Sequence, residues 1–543
     1  MRKGKIVQVL VGLLLVAALV LIPMACKAPE VSPVTPPAAP PEEVAPPTAP
    51  PEEVAPPEEE VVAPPVEGLA PFVGLADIPE IKNRRGIHVS LMGFSAEWLE
   101  PLVNKWAEHT KIPMTYELVT FSLVYPKLNL ELIAGTGAYD MIPVEASYSC
   151  EWSPYLWDIY EMADEFDPGG RAALAADVAQ IYPAILRQTS DRAGRLCGIP
   201  FFTYQQALWL RQDVYDDPTE QANFLAECGY ELAPPTTYDE LYDQEEFFTR
   251  EKGELLKGEP LEWDLYGCAI GGRVEINDDT SADIWGRGGH WFDIVRDEQG
   301  NAIEYVVTKE NKEVIGEALT SMKKQFQWAS PGCLTGYWND FVPAFIKGRH
   351  IIMPHNYACH LPWASGIFDE VPGAEIGLYQ GVGVGGTGIY CGNFFQGFPK
   401  GSKNPEAAYW LMRYIASYAA QKEMVEAGNS GTRMDILRDP KYATGITMVP
   451  EYGGVICHDQ SGTVGALAAI LDGTLTNNQT AEVVNDYIWF NSSAGGKMYE
   501  MTMILCHEAV AGIRPIDETV DEIVRQMIDL ETKFGDIPIR EEL

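Results

Sequence analysis

The chain has 543 residues, and its 78 acidic and 39 basic residues give a formal net charge of −39 at pH 7. A field of that sign repels phosphate backbones and anionic headgroups, which excludes nucleic acid and anionic lipid as partners of the folded body. The hydrophobic content of 46%, with 13 Trp and 25 Tyr, is typical of a globular protein rich in flat aromatic rings.

Residues 1–25 have the layout of a secretory signal peptide. Three basic residues among the first five precede an apolar run over 6–24, which closes on Ala25 and Cys26. A small residue before cysteine is typical of lipoprotein processing, which would leave Cys26 as a lipidated N-terminus. The apolar run is also close to the ~20 residues that span a bilayer, so an uncleaved membrane anchor is the alternative. Both interpretations export the chain and hold it at a membrane.

Residues 26–80 are predicted to form a disordered tether behind that lipid. From Pro29 to Pro65 the chain is mostly Pro, Glu, Ala and Val, and the block Ala39–Pro47 recurs at Ala49–Pro57. Proline removes backbone donors and the glutamates repel one another, so this segment cannot form a core. An extended spacer of ~3.1 Å per residue would hold a globular body away from the membrane.

The globular body opens on an alternation of strands and helices. Apolar periodicity predicts strands at 87–92, 114–120 and 140–144, with helices at 97–110 and 123–134. This order predicts a parallel sheet with right-handed crossovers, whose ligand crevice lies beyond the carboxyl ends of the strands. Phe94, Ser95, Glu145 and Tyr148 follow those ends and are candidate ligand contacts. Ordinary loop residues are the alternative for each of them.

A series of short motifs then follows in a fixed order. The six that matter most are Gly194-Arg-Leu-Cys-Gly-Ile-Pro-Phe201, Pro234-Pro-Thr-Thr-Tyr-Asp-Glu-Leu241, Tyr266-Gly-Cys-Ala269, Phe345-Ile-Lys-Gly-Arg-His-Ile-Ile-Met353, Ser402-Lys-Asn-Pro-Glu-Ala-Ala408 and Gly431-Thr-Arg433. In order and rough spacing they resemble the extracellular solute-binding proteins of family 1. These are sugar-binding lipoprotein subunits of ABC importers, of the maltose-binding-protein type. The resemblance spans about 86–442, departs from the family wording at Cys197 and Tyr238, and is loose beyond about residue 455.

The resemblance implies an α/β fold of the periplasmic-binding-protein type, with two α/β lobes joined by a multi-segment hinge. Each lobe is expected to hold a mainly parallel sheet, and the chain to cross the hinge near 203–207 and 377–381. The implied parts of the body are a first part of lobe 1 at 81–203, the main part of lobe 2 at 204–376, a return to lobe 1 at 377–427, and a C-terminal helical part, mostly in lobe 2, at 428–543. A ligand that bridges both lobes stabilises the closed form, which a permease can distinguish.

The resemblance also implies further ligand contacts, which are Tyr204, Trp291, Asn356, Tyr357, Gly385 and Gly386. The implied solute is a mono- or oligosaccharide, because its C–H faces pack on rings while polar side chains such as Glu145 and Asn356 bind its hydroxyls. Core packing is the alternative for the three aromatic residues.

Patterns for other functions fail on inspection. The Gly-x-Gly-x-x-Gly match at 383–388 precedes no helix-forming run, and His507-Glu508 lacks the second histidine of a zinc protease because Ala511 stands there. The nine cysteines after Cys26 include no Cys-x-x-Cys. We therefore expect no catalytic residue, no metal and no cofactor.

The sequence as a whole predicts an extracytoplasmic, lipid-anchored monomer that captures a small solute and delivers it to ABC importer permease subunits. An exported glycan-processing enzyme and a surface sensory or adhesion module are the alternatives. An enzyme would turn its ligand over, whereas a sensor would differ from a receptor only in its partner.

Overall fold

The computed structural model describes residues 72–273, 275–298, 301–476 and 492–542. The predicted signal peptide, Cys26 and most of the predicted tether lie outside the described residues. Residues 72–80, which the sequence assigns to the tether, instead pack on the body. Phe72 is buried with its ring centroid 5.9 Å from that of Trp410, and the backbone N–H of Ala419 donates to the carbonyl of Val73. The aromatic side chain of Phe72 supplies apolar surface for this contact, so the segment belongs to the folded body.

The strands of the described residues are short except for one of 14 residues. They are β1 (Ile87–Met92), β2 (Met114–Val119), β3 (Ile142–Glu145), β4 (Gly198–Arg211), β5 (Leu255–Leu256), β6 (Glu259–Pro260), β7 (Tyr266–Cys268), β8 (Asp293–Arg296), β9 (Ala302–Val307), β10 (His350–Tyr357), β11 (Ile376–Tyr379), β12 (Cys391–Gly397), β13 (Ile446–Val449), β14 (Gly454–Cys457) and β15 (Ile539–Glu541).

The α-helices of the same residues range from single turns to 19 residues. They are α1 (Ala96–Thr110), α2 (Phe121–Ala134), α3 (Ser149–Trp152), α4 (Ile159–Phe166), α5 (Gly170–Val178), α6 (Pro183–Thr189), α7 (Gln212–Tyr215), α8 (Pro218–Cys228), α9 (Tyr238–Phe247), α10 (Ile276–Gly286), α11 (Lys309–Gln325), α12 (Trp338–Ile346), α13 (Leu361–Ala364), α14 (Ile367–Glu370), α15 (Pro405–Ile415), α16 (Tyr418–Glu426), α17 (Met434–Leu437), α18 (Thr463–Thr476), α19 (Gly495–Val510) and α20 (Ile516–Phe534).

The first lobe contains the predicted alternation of strands and helices, which is confirmed with ends shifted by up to two residues. Strands β1 and β2 pair in parallel, and Val89 bridges Met141 in parallel just before β3. Strand β12 pairs antiparallel with both β3 and β4. Helix α1 buries Leu99, Leu102, Val103 and Trp106, the apolar face that its periodicity indicates.

The second lobe is built on strands in the order β13-β14-β11-β4-β10-β7. Only the β10–β7 pair of this sheet is parallel, so the expectation of a mainly parallel sheet is wrong for this lobe. The reason is the course of β4, which passes between β10 and β11 while both of them run in the opposite direction.

Strand β4 also joins the two lobes. Its residues up to Gln205 pair with β12 in the first lobe, and those from Gln206 onward pair with β10 and β11 in the second. This crossing falls within the predicted 203–207. The return crossing lies between Tyr379, which is still paired with β4 in the second sheet, and Cys391, where β12 begins. This interval overlaps the end of the predicted 377–381 and extends beyond it, and the lobe boundaries remain predictions.

The C-terminal helices contact both lobes. On α19, Glu500 accepts a hydrogen bond from the Tyr148 hydroxyl of the first lobe at 3.1 Å. The preceding residue, Tyr499, donates to Asp278 of the second lobe at 3.0 Å. None of the helices in the described ranges combines the length and the apolar character required to cross a membrane.

Candidate functional site

A cavity of about 530 Å³ lies between the two lobes, and its wall is built mainly from aromatic side chains. The first lobe contributes Phe94, which lies two residues after the end of β1 and is 39% exposed. Its ring lies 5.2 Å from Phe394 and 5.4 Å from Phe202, and Trp98 of α1 stacks on Phe202 at 6.0 Å. This wall offers ring surface without a positive charge.

The second lobe supplies the opposite wall from the start of α12, the end of β10 and the segment that follows β10 into α13. Tyr357 lies 6.2 Å from Trp338 and 5.5 Å from His360, whose ring is 6.0 Å from Trp363. Trp363 is 40% exposed. Nδ1 of His360 pairs with Oδ1 of Asn356 at 2.8 Å, and desolvation lowers the pKa of His360 to about 3. The imidazole is therefore neutral at physiological pH.

Asp278 of α10 brings a carboxyl group to the cavity. It is 2% exposed and accepts hydrogen bonds from the hydroxyls of Tyr357 at 2.6 Å and Tyr499 at 3.0 Å. Desolvation raises the pKa of Asp278 to about 7, against the lowering effect of these donors. The two tyrosine hydroxyls are thus already used as donors toward the carboxyl group.

A second carboxyl group, that of Glu145, lies behind the cavity wall and is hydrogen-bonded to a residue of that wall. Tyr204 lines the cavity and donates to Glu145, which is fully buried and also accepts from the backbone N–H of Ser147 at 2.7 Å. Desolvation raises the pKa of Glu145 to about 8. The ring of Tyr204 lies directly on strand β12 at Gly392, where a Cβ atom would overlap it. Glycine is required there for the tyrosine to reach both the cavity and Glu145.

The structure brings five of the ten predicted contacts to the cavity or just behind it. Phe94, Tyr204 and Tyr357 line the cavity. Glu145 and Asn356 support the wall through Tyr204 and His360.

The other five lie outside the residues that line this cavity. Ser95 is buried and donates to the carbonyl of Met92 at 3.0 Å, and Tyr148 packs against Trp152 at 5.0 Å. The buried Trp291 donates its indole N–H to Ser281 at 3.0 Å. Gly385 and Gly386 form a tight turn, where positive φ angles of 58° and 74° favour glycine.

Sequence reasoning missed Asp278, Trp338, Trp363 and Tyr499 as cavity residues. Asp278 and Tyr499 lie in segments to which no motif drew attention, and the match to the family wording is loose around Tyr499. Trp338 and Trp363 carried an available signal, since each is a large aromatic residue close to the motif that ends at Met353.

The family model described as bacterial extracellular solute-binding protein matches residues 94–422. No curated protein sequence matches the chain. One similar solved structure is an ABC transporter solute-binding protein from Agrobacterium radiobacter K84 in complex with ribitol. It is 17% identical to this chain with a TM-score of 0.60, and the match covers 84% of this chain and 100% of that chain.

Two further structures are similar at comparable levels. The maltose-bound MalE3 of T. maritima is 17% identical with a TM-score of 0.56, covering 82% of this chain and 100% of that one. The Thermus thermophilus maltotriose-binding protein with maltotriose is 15% identical with a TM-score of 0.54, covering 83% and 100%. At these identities the structural likeness establishes the fold, which has two α/β lobes.

Proposed function

The chain belongs to the bacterial extracellular solute-binding proteins, and from that premise we propose that it captures a sugar or polyol between its lobes and delivers it to an ABC importer. Membership of the family places the working protein outside the cytoplasm. The proposed role needs no covalent step, because capture and release of an unchanged solute are sufficient to deliver it to the importer.

The observation that carries this proposal is the pair of partly exposed rings on opposite walls of one cavity. Phe94 of the first lobe is 39% exposed and Trp363 of the second is 40% exposed, and both line the 530 Å³ space. Two exposed rings that face each other across one cavity offer apolar surface that a single ligand can cover from both sides. The C–H faces of a sugar or polyol chain pack well on such rings, and a cavity of this size is in the range of small-molecule sites.

Closure of the lobes would couple capture to transport. A solute that contacts Phe94 on one side and Trp363 on the other stabilises only the form in which both walls are close. Strand β4, which is continuous through both sheets, is the segment about which such a movement would turn. The permease would then distinguish the closed, loaded form from the open one.

We further propose that Cys26 carries lipid, that the protein acts as a monomer, and that ABC permease subunits are its partners. The support for lipidation is the signal layout of residues 1–26, which lie outside the described residues. The support for the permease partner is that structures with this fold, such as the ribitol complex, are ABC transporter solute-binding proteins.

A thermal-shift panel tests the proposed ligand class. The full chain, purified in detergent, would be scanned against ribitol, mannitol, maltose and maltotriose, and binders confirmed by calorimetry. A ligand at 100 times its dissociation constant adds about 2.7 kcal/mol to stability, which a scan resolves. Chromatography of the recovered ligand should show it unchanged. Conversion of the ligand would favour an enzyme, and failure of the whole panel would remove sugars and polyols from the proposal.

A further inference from the structure

We propose that the solute carries a positively charged ammonium group, as in an amino sugar, which lies among the cavity rings and against Asp278. The inference rests on the proposed function, because it takes this cavity as the solute site and adds the charge of the occupant.

The charges on the cavity wall have one sign. Asp278 and Glu97 line the cavity, and the described lining residues include no lysine and no arginine. His360 is held in its neutral form by desolvation. A solute with a positive group would therefore meet two carboxyl groups and no competing cation.

More acidic groups stand close behind Asp278 without a counter-charge. These are Glu145, Glu275 and Asp279, each at most 3% exposed. No ion pair to these three or to Asp278 occurs within the described ranges, although the amide of Gln206 donates to Asp279 at 2.6 Å. Buried carboxyl groups are ordinarily paired, and here desolvation raises the pKa of all four. With raised pKa values these groups favour the protonated, neutral form, and a cation bound against Asp278 would favour the ionised form of that carboxyl group.

The hydrogen bonds already made by the cavity side chains distinguish a ligand with an ammonium group from a ligand with only hydroxyl groups. A hydroxyl needs a donor as well as an acceptor, whereas an ammonium group only donates. The three tyrosine hydroxyls at the cavity already donate, Tyr204 to Glu145 and both Tyr357 and Tyr499 to Asp278. These three hydroxyls can therefore only accept a further hydrogen bond from a ligand, and the carboxyl groups of Asp278 and Glu97 are acceptors when ionised, which suits a ligand group that donates.

The aromatic walls are consistent with the same ligand. Ring faces attract a cation within about 6 Å of the centroid, and most strongly when water is excluded. Trp338 and Trp363 lie on the same wall as Asp278, opposite the ring of Phe94. The net charge of −39 would also raise the rate at which cations reach the cavity.

Two disaccharides that differ only in whether their amino groups are free or acetylated test the proposed positive charge of the solute. Chitobiose with free amines and N,N′-diacetylchitobiose would be titrated into the full chain by calorimetry at pH 6.5 and 0.15 M salt. Choline and spermidine serve as ammonium ligands without a sugar, and maltose as a neutral sugar. We expect the free-amine disaccharide to bind at least tenfold more tightly than its acetylated form.

Two variants connect that preference to named residues. Asp278→Asn keeps the shape of the side chain and removes its ability to ionise against a bound ammonium group, and should abolish the preference for the amine. Because Asp278 is buried, Glu97→Gln provides a second variant at an exposed position of the cavity rim, expected to reduce the preference severalfold. Glu108→Gln makes the same charge change at an exposed position of helix α1 outside the cavity lining, and should have no effect.

The outcomes distinguish the inference from the function on which it rests. Equal affinity for the free-amine and acetylated disaccharides, or a preference that survives both cavity variants, would overturn the ammonium group and leave saccharide capture intact. Binding of choline or spermidine without any saccharide would retain the ammonium group and overturn the sugar. If no probe binds, both the ammonium inference and the proposed saccharide capture fail.

Discussion

Replacement of Trp363 by alanine should weaken ligand binding without unfolding the protein. The ring lines the cavity and is 40% exposed in the described structure. A tryptophan side chain offers roughly 250 Å² of surface, so about 100 Å² is open to a ligand. At about 25 cal/mol per Å² its coverage contributes up to ~2.5 kcal/mol, which corresponds to a ~60-fold loss of affinity in the variant.

The chain offers a matched control for this substitution. Trp263 is 37% exposed on the same lobe, lies outside the cavity lining, and packs against the guanidinium of Arg349 at 5.4 Å. Trp263→Ala removes the same side chain from a similar environment and should leave affinity unchanged.

Calorimetric titration of the full chain with the tightest ligand of the panel measures both variants, and thermal unfolding without ligand checks that each remains folded. Equal affinity for Trp363→Ala and the parent protein would refute the assignment of this ring to the site. An equal loss in both tryptophan variants would show that the effect is not local to the cavity.

The remaining predictions concern the buried acid and the N-terminus. Tyr204→Phe removes a donor from Glu145 and should lower the free energy of unfolding by ~1–3 kcal/mol in urea titrations. The loss should be larger at pH 9 than at pH 5, because an ionised carboxyl group depends on the donor more strongly than a neutral one, and a loss independent of pH would contradict this role. Glu145 keeps its proton to about pH 8 in the folded state, whereas the unfolded chain releases it near pH 4.5, so its contribution is fully present below pH 4.5 and is lost as the pH rises to about 8. Glu145→Gln should therefore flatten the decline of melting temperature across that window, whereas Glu97→Gln should not; identical profiles for the two would argue against a buried titrating carboxyl. Cys26→Ala should move the protein from the membrane fraction to the soluble fraction, and an unchanged distribution on immunoblots would favour an uncleaved anchor.

Local patterns in the sequence determined much of the first lobe and the family. The apolar periodicity of 87–145 predicted three strands and two helices, because such periodicity reflects which face each element buries against its own sheet. The order of short motifs was sufficient to recognise the family resemblance, since each motif is a turn, cap or strand that forms from neighbouring residues. The crossing near 203–207 was implied by that resemblance rather than by the periodicity of the segment.

Tertiary structure decided which residues face the cavity. Trp291 and Trp363 are the same residue type, yet Trp291 is buried with its indole N–H on Ser281, while Trp363 keeps 40% of its surface exposed. Asp278 meets hydroxyls that lie 79 and 221 positions away along the chain. Periodicity and motif spacing report contacts between neighbours in sequence, whereas these contacts exist only after α10, β10 and α19 have packed together. The charge of the cavity, and with it the kind of solute that it would accept, is therefore a property of the folded chain.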